Sequence, residues 1–405
     1  MSRRILFIDE DQERNGSTVS MEYLVRGFAL AGFDVVVLSW KQEEWAKALL
    51  KKSARLIDGR WGPLTNPTMC VHFSYTAPAL SWAGMRNIAK DCIKFVLGFF
   101  RVRTVIRQVR PDVVYLNEYS VIQAALAART SGIPAAVHVR SRMLEEKFWL
   151  RRKVLSGMVL RWTDALFAIT RIEADQFRAR PEEAGKVFVV GEFIPQSRES
   201  TTEGAALREL FGLPADRKIV GMMGAIQEIK GTRDFLQAGK QALARYPGAL
   251  LVLVGATRPF GDPGQRAYFD ASMEVIEELQ RDDRIRLLGE ITNPLDFVAT
   301  VDILVAPTRA THFSRPVVEA WASGKPVIAY RIPHMERLID HETDGLLVEP
   351  GNVDGLAAAI VRLLEDPALC RNLGEAGRRK AADGFDAQKN VDFLVSRCTS
   401  LCAAQ

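Results

Sequence analysis

Short apolar runs alternate with helical patterns along this chain, and the alternation starts over once. Ile5–Asp9, Asp34–Leu38, Val113–Leu116, Ala135–Val139 and Ala165–Ile169 are rich in aliphatic and β-branched residues. The pattern restarts at Lys218–Met223 and continues through Ala249–Val254, Ile285–Leu288, Ile303–Ala306 and Pro326–Ala329. Continuous apolar strands separated by helices build a parallel sheet covered on both faces, so each half reads as a doubly wound α/β domain. The expected organisation is an N-terminal domain over 1–195, a polar linker over 196–214, a second domain over 215–385, and a final helix over 386–405 returning to the N-terminal domain. Such sheets bind ligands beyond the carboxyl ends of their strands, and two facing each other would make a central cleft.

Composition supports this class and removes others. With 405 residues, 48% hydrophobic and 25% charged, the chain is neither collagenous, nor disordered, nor a small disulfide scaffold. The net charge of +5 is uneven: residues 1–199 carry 30 Lys and Arg against 21 Asp and Glu, and residues 200–405 carry 24 against 28. The basic N-terminal half is expected to meet something anionic, such as a membrane surface or a lipid-linked acceptor. Five cysteines without a CxxC pair read as free thiols of a cytoplasmic protein. Met1-Ser2-Arg3-Arg4 leads directly into a strand, without the apolar core of a signal peptide. The uncharged stretch 61–85 is broken by Pro63, Pro67 and Pro78, so it does not read as a spanning helix.

Two helical stretches hold much of the basic excess. In residues 92–110, Phe95, Phe99, Val102, Ile106 and Val109 follow the spacing of a buried stripe, flanked by Lys94, Arg101, Arg103, Arg107 and Arg110. In 147–162, Leu155, Met158 and Trp162 share a face with Arg151, and Arg152 and Lys153 lie beside it. Aromatic and basic residues mixed on one short helix suit a membrane interface, which marks Arg151, Arg152 and Lys153, with Arg140, as the acceptor or membrane side.

The most informative segment is the strand end Val305–Thr308, then a loop over Arg309–Val318, then a short helix from Glu319 to Gly324. A helix start there would offer backbone N–H groups to an anion, and a carboxylate just inside it could accept two hydroxyl hydrogen bonds from a ribose. The same acid also reads simply as a favourable charge at a helix N-terminus. No histidine stands at metal-ligand spacing from Cys or acid pairs, so no metal site is expected. No nucleic-acid module is visible either.

The run Arg315-Pro316-Val317-Val318-Glu319-Ala320, followed by Gly324–Ala329, Glu336 and Asp344–Asn352, resembles the family 4 (group 1) glycosyltransferases of the GT-B fold in order and spacing. The resemblance extends to Gly224–Gly231 (GAIQEIKG), Leu287-Leu288-Gly289-Glu290, Asp366-Pro367 and Gly374-Glu375-Ala376-Gly377. In the N-terminal half it is looser, through Asn15-Gly16-Ser17 and Ile133–Arg140. It implies a retaining, metal-independent sugar transferase without a cofactor, using a UDP- or GDP-linked sugar and a glycan or lipid-linked acceptor in cell-surface polysaccharide or glycolipid synthesis. Such an enzyme would sit in the cytoplasm or at the inner face of the plasma membrane.

The resemblance also implies roles. Lys230 would neutralise the donor diphosphate, Glu319 would hold the ribose, and His138 would sit near the sugar. Gly16, Ser17, Gly224, Gly289, Glu290, Thr311, His312, Arg315, Pro316, Val317 and Glu336 would line the donor site. Two positions depart from the family: Thr311 replaces the first of two glutamates spaced eight apart, and Ala225 replaces an arginine. Arg309 and Arg315 are the nearby cations that would make up the lost charge. The departures also suit a catalytically silent GT-B protein that binds a glycan or a partner enzyme. An epimerase on the same fold would need acid and base groups flanking the sugar, and no carboxylate pair is placed for that.

Overall fold

The computed structural model describes residues 2–9, 16–40, 53–62, 66–69, 82–143, 149–177, 185–194, 201–259, 263–291, 293–309 and 313–403. The chain forms two compact units, Met1–Phe193 with Ala387–Gln405, and Ile194–Asp386. Residues 196–214, expected as a linker, include the helix Thr201–Leu210, which belongs to the second unit. Arg208 fixes it there, donating from Nε to the Thr300 carbonyl at 3.0 Å and from Nη2 to Asp302 at 2.8 Å.

In the first unit seven parallel strands run in the order β3-β2-β1-β4-β5-β6-β7. They are β1 Arg4–Ile8, β2 Asp34–Ser39, β3 Arg55–Asp58, β4 Val113–Leu116, β5 Ala135–Val139, β6 Ala165–Ala168 and β7 Val187–Val189. The pleat divides their side chains between two cores: Leu6 and Ile8 face the cluster containing Val102, Ile106 and Val109, while Ile5 and Phe7 face one containing Leu24, Phe28 and Phe167. The helix Trp82–Val109 covers the first face with the expected stripe. The C-terminal helix Ala387–Ala403 joins the second, where Val391 and Leu394 are buried and Phe393 packs 5.8 Å from Phe188.

The second unit holds six parallel strands in the order β10-β9-β8-β11-β12-β13. They are β8 Lys218–Met223, β9 Ala249–Val254, β10 Ile285–Gly289, β11 Ile303–Ala306, β12 Val327–Tyr330 and β13 Leu346–Val348. Crossovers run one way from β8 and the other way from β11, so the carboxyl ends of these two strands flank the switch point where such sheets hold ligands.

Several motif runs turn out to be structural supports. A Cβ on Gly377 would stand 2.0 Å from the Trp321 ring, and one on Gly374 would stand 2.1 Å from the Gly324 carbonyl oxygen. The two glycines therefore let the helix Pro367–Gly384 press against the helix Arg315–Ala322. Asp344 finishes this buttress: its carbonyl accepts from Trp321 Nε1 at 2.8 Å, and its buried carboxylate meets Lys380 at 2.7 Å.

Candidate functional site

The candidate site is built by the loop after β8 and the loop after β11, both in the second unit. The loop Gly224–Gly231 leaves β8 and ends in a single 3-10 turn, Glu228–Lys230. Gly231 closes that turn at φ 73°, and a Cβ there would lie 2.0 Å from the Pro307 carbonyl oxygen. Only glycine fits both conditions, so the loop is pinned against the end of β11. Two further bonds hold it, with Arg309 N donating to the Ile229 carbonyl at 2.9 Å and Thr308 Oγ1 donating to the same oxygen at 3.0 Å.

This arrangement carries Lys230 into a small pocket with Met222, Met223, Thr308, Ser314 and Pro316. Burial pushes the Lys230 ammonium below its ordinary value of 10.5. A cation held among methionine side chains attracts an anion more strongly than one in bulk water, because less solvent screens it.

The second wall is the helix Arg315–Ala322, and it starts four residues earlier than its sequence suggests. Glu319 is therefore its fifth residue, beyond the first turn where the macrodipole favours a carboxylate. The helix start is also poorer in donors than expected. Pro316 has no N–H, and Val317 N already donates to the Ser314 carbonyl at 3.2 Å. The cation of this wall is the Arg315 guanidinium, which is paired within the helix. Arg315 lies four residues before Glu319, with Nε and Nη2 each 3.3 Å from Glu319 Oε1, and the Glu319 side chain is only 5% exposed. Val317 is fully buried and packs inward.

In the second unit, other expected site residues are not in the lining of this pocket. Gly289 and Glu290 stand at the end of edge strand β10, with Glu290 exposed. Glu336 is on the short helix Pro333–Leu338 with Arg331 at 3.8 Å. Gly16 and Ser17 open the helix Gly16–Leu30 after β1. Thr311 and His312 fall outside the described residues. Arg309 is paired with Asp234 at 2.7 Å, where the Tyr330 hydroxyl also donates at 2.8 Å.

The first unit corrects two expectations. His138 does not face an open site: it is fully buried in β5, with its ring 5.7 Å from Phe193 and 6.4 Å from Phe167. Its Nδ1 is 2.8 Å from the Tyr115 hydroxyl and 3.4 Å from Arg140 Nη2. A guanidinium only donates, so Nδ1 accepts and the proton sits on Nε2. Burial, and then the Arg140 charge, hold this histidine well below its ordinary range, which favours the neutral ring. Arg140 does not face a membrane or acceptor either. It is buried in an ion pair with Glu192, which also accepts from Ser20 Oγ. Glu192 sits in the tight Gly-Glu-Phe return, where no sequence signal marks it.

The membrane reading of 147–162 also changes. Leu155 is buried, and Met158 and Trp162 pack on the core, so the face these three share points inward. Lys153 is exposed and Arg152 half-buried; the side chain of Arg151 lies outside the description. Among the described residues no helix is long and apolar enough to cross a membrane, and no three His, Cys, Asp or Glu side chains are grouped to hold a metal ion.

Residues 15–191 match the glycosyl transferase 4-like domain, and residues 205–380 match the glycosyl transferases group 1 family. The chain belongs to the family 4, group 1 glycosyltransferases. Among curated members it is 26% identical over 185 residues to N-acetyl-alpha-D-glucosaminyl L-malate synthase of Bacillus anthracis, covering 46% of each chain. It is 30% identical over 220 residues to the lipopolysaccharide core biosynthesis glycosyltransferase LpsD of Rhizobium meliloti (strain 1021), covering 53% of this chain and 60% of that one. The chain thus spans about half the length of these curated relatives. The GT-B fold is shared along the whole chain with Anabaena Alr3699/HepE, solved in complex with UDP and glucose. The TM-score is 0.73 at 19% identity, covering 98% of this chain and 99% of that one.

Proposed function

We propose that the protein is a retaining, metal-independent glycosyltransferase that moves a sugar from a UDP- or GDP-linked donor to a glycan or lipid-linked acceptor. The observation that carries this reading is the placement of Lys230 in the pocket between the ends of β8 and β11, beside the start of the helix Arg315–Ala322. As the bond from the sugar to the diphosphate breaks, negative charge grows on the departing oxygen. A cation already fixed there stabilises the transition state more than the bound donor. Arg315 adds a second positive charge, which Glu319 offsets in part. Glu319 takes the donor ribose in this reading. Relatives acting in lipopolysaccharide core synthesis and a fold neighbour that binds UDP support the same assignment, and the relatives favour a cell-surface glycan or glycolipid product.

Calorimetric titration of the whole chain with UDP, GDP and ADP tests the donor side. One of the three is expected to bind at one per chain. If none binds, the protein is the silent scaffold that Ala225 and Thr311 would suit.

A further inference from the structure

The helix Trp82–Val109 packs its Val102, Val105, Ile106 and Val109 side chains into the first unit's core, yet it leaves a second apolar face outside. Trp82, Met85, Ile93, Val96 and Phe100 are each between 48% and 79% exposed. At about 100° per residue these five fall within about 80° of one another, on a stripe about 27 Å long. Surface hydrophobics scattered singly are ordinary, but five large ones in register along a helix are a contiguous patch, and such patches mark interaction surfaces.

The charges beside the stripe select the partner. The helix carries six basic side chains and a single acid, Asp91, which is buried. Lys94, Arg101 and Arg103 are occupied with the Thr68 carbonyl, the Asp58 carbonyl and Thr130 Oγ1. Arg86, Lys90 and Arg107 are exposed; the first two lie about 20° and 60° beyond one edge of the stripe and Arg107 falls near its middle. A second copy of this face would bring like charges together. An anionic bilayer meets both features, since the apolar side chains enter the acyl boundary while the cations stay at the headgroups.

We propose that this outward face is a membrane-docking surface, with the helix lying in the plane of an anionic leaflet. It lies on a different helix from Lys153 and has no part in the donor pocket, so it stands apart from the donor reading.

Co-sedimentation with lipid vesicles tests it. The full chain is expected to sediment with phosphatidylcholine vesicles containing about a quarter phosphatidylglycerol, and to stay in solution with phosphatidylcholine alone. Val96→Glu should weaken binding by about tenfold or more, and adding Ile93→Glu should weaken it further. Gln237→Glu, an exposed change of equal charge in the second unit, should leave it intact. Failure of the unchanged protein to sediment, or equal losses in Val96→Glu and Gln237→Glu, would overturn the proposal. So would a dimer in analytical ultracentrifugation that Val96→Glu dissociates while vesicle binding is absent. Both residues are exposed, so melting should be unchanged, and UDP or GDP titration of Val96→Glu should match the unchanged protein.

Discussion

Lys230→Ala is expected to lower kcat/KM for donor consumption by about a hundredfold to a thousandfold, the loss seen when one fixed group that stabilises transition-state charge is removed. The size follows from the setting. The ammonium is desolvated among Met222, Met223 and Pro316, where its interaction with a departing diphosphate is less screened than at an open surface. The substitution should leave the loop in place, because the loop is held through backbone atoms: Lys230 N donates to the Gln227 carbonyl at 3.1 Å, and Gly231 N to the Glu228 carbonyl at 2.9 Å. Stability should therefore change by less than about 1 kcal/mol. Steady-state rates, together with a thermal melt, check both halves. An unchanged rate would remove Lys230 from the chemistry, and a large fall in melting temperature would make its role structural.

Arg140→Ala is expected to destabilise the protein by about 3–5 kcal/mol, since it removes the charge partner of the buried Glu192 carboxylate. The Arg140 and Glu192 side chains are 6% and 4% exposed. Little water can reach the carboxylate, and the Ser20 hydroxyl that donates to it carries no charge. The guanidinium also lies 5.6 Å over the Phe193 ring, so alanine removes packing as well as charge. Removing both charges should cost far less: Arg140→Met with Glu192→Leu is expected to regain most of the loss. Urea unfolding of the two variants measures the difference. A loss below about 1 kcal/mol for Arg140→Ala would mean that water or a rearranged neighbour satisfies Glu192.

The fold was largely legible because buried parallel strands write themselves as apolar runs. Ten such runs mark β1, β2, β4, β5, β6 and β8–β12. The strands without a signal are marginal ones. β3 is a partly exposed edge strand of Arg-Leu-Ile-Asp, and β7 and β13 have three residues each. The helix Thr201–Leu210 was hidden by its polar residues, because its Arg208 bonds to the Thr300 carbonyl are tertiary and no local pattern encodes them. The site was legible in part. Lys230 could be placed because Gly224–Gly231 resembles the family's glycine-to-lysine loop. Glu319 was placed one helical turn too early, since Pro316 allows the helix to begin at Arg315. The burial of His138 was not legible because a strand gives its residues alternate faces without saying which is open, and its partner Tyr115 lies on another strand. The apolar stripe from Trp82 to Phe100 was missed for the opposite reason. A helix with two apolar faces shows its buried one in the spacing, and only three-dimensional packing reveals that the other is left outside.

The central claim is that this chain transfers sugar from a nucleotide donor bound at Lys230. A panel of UDP-, GDP- and ADP-linked sugars incubated with the protein and membrane lipid extract, with products followed by mass spectrometry and the new anomeric centre assigned by NMR, tests it most directly. The account predicts one UDP- or GDP-sugar consumed, a product keeping the donor's anomeric configuration, and loss of both in Lys230→Ala. Transfer with inversion, or neither transfer nor hydrolysis with any donor, would contradict it.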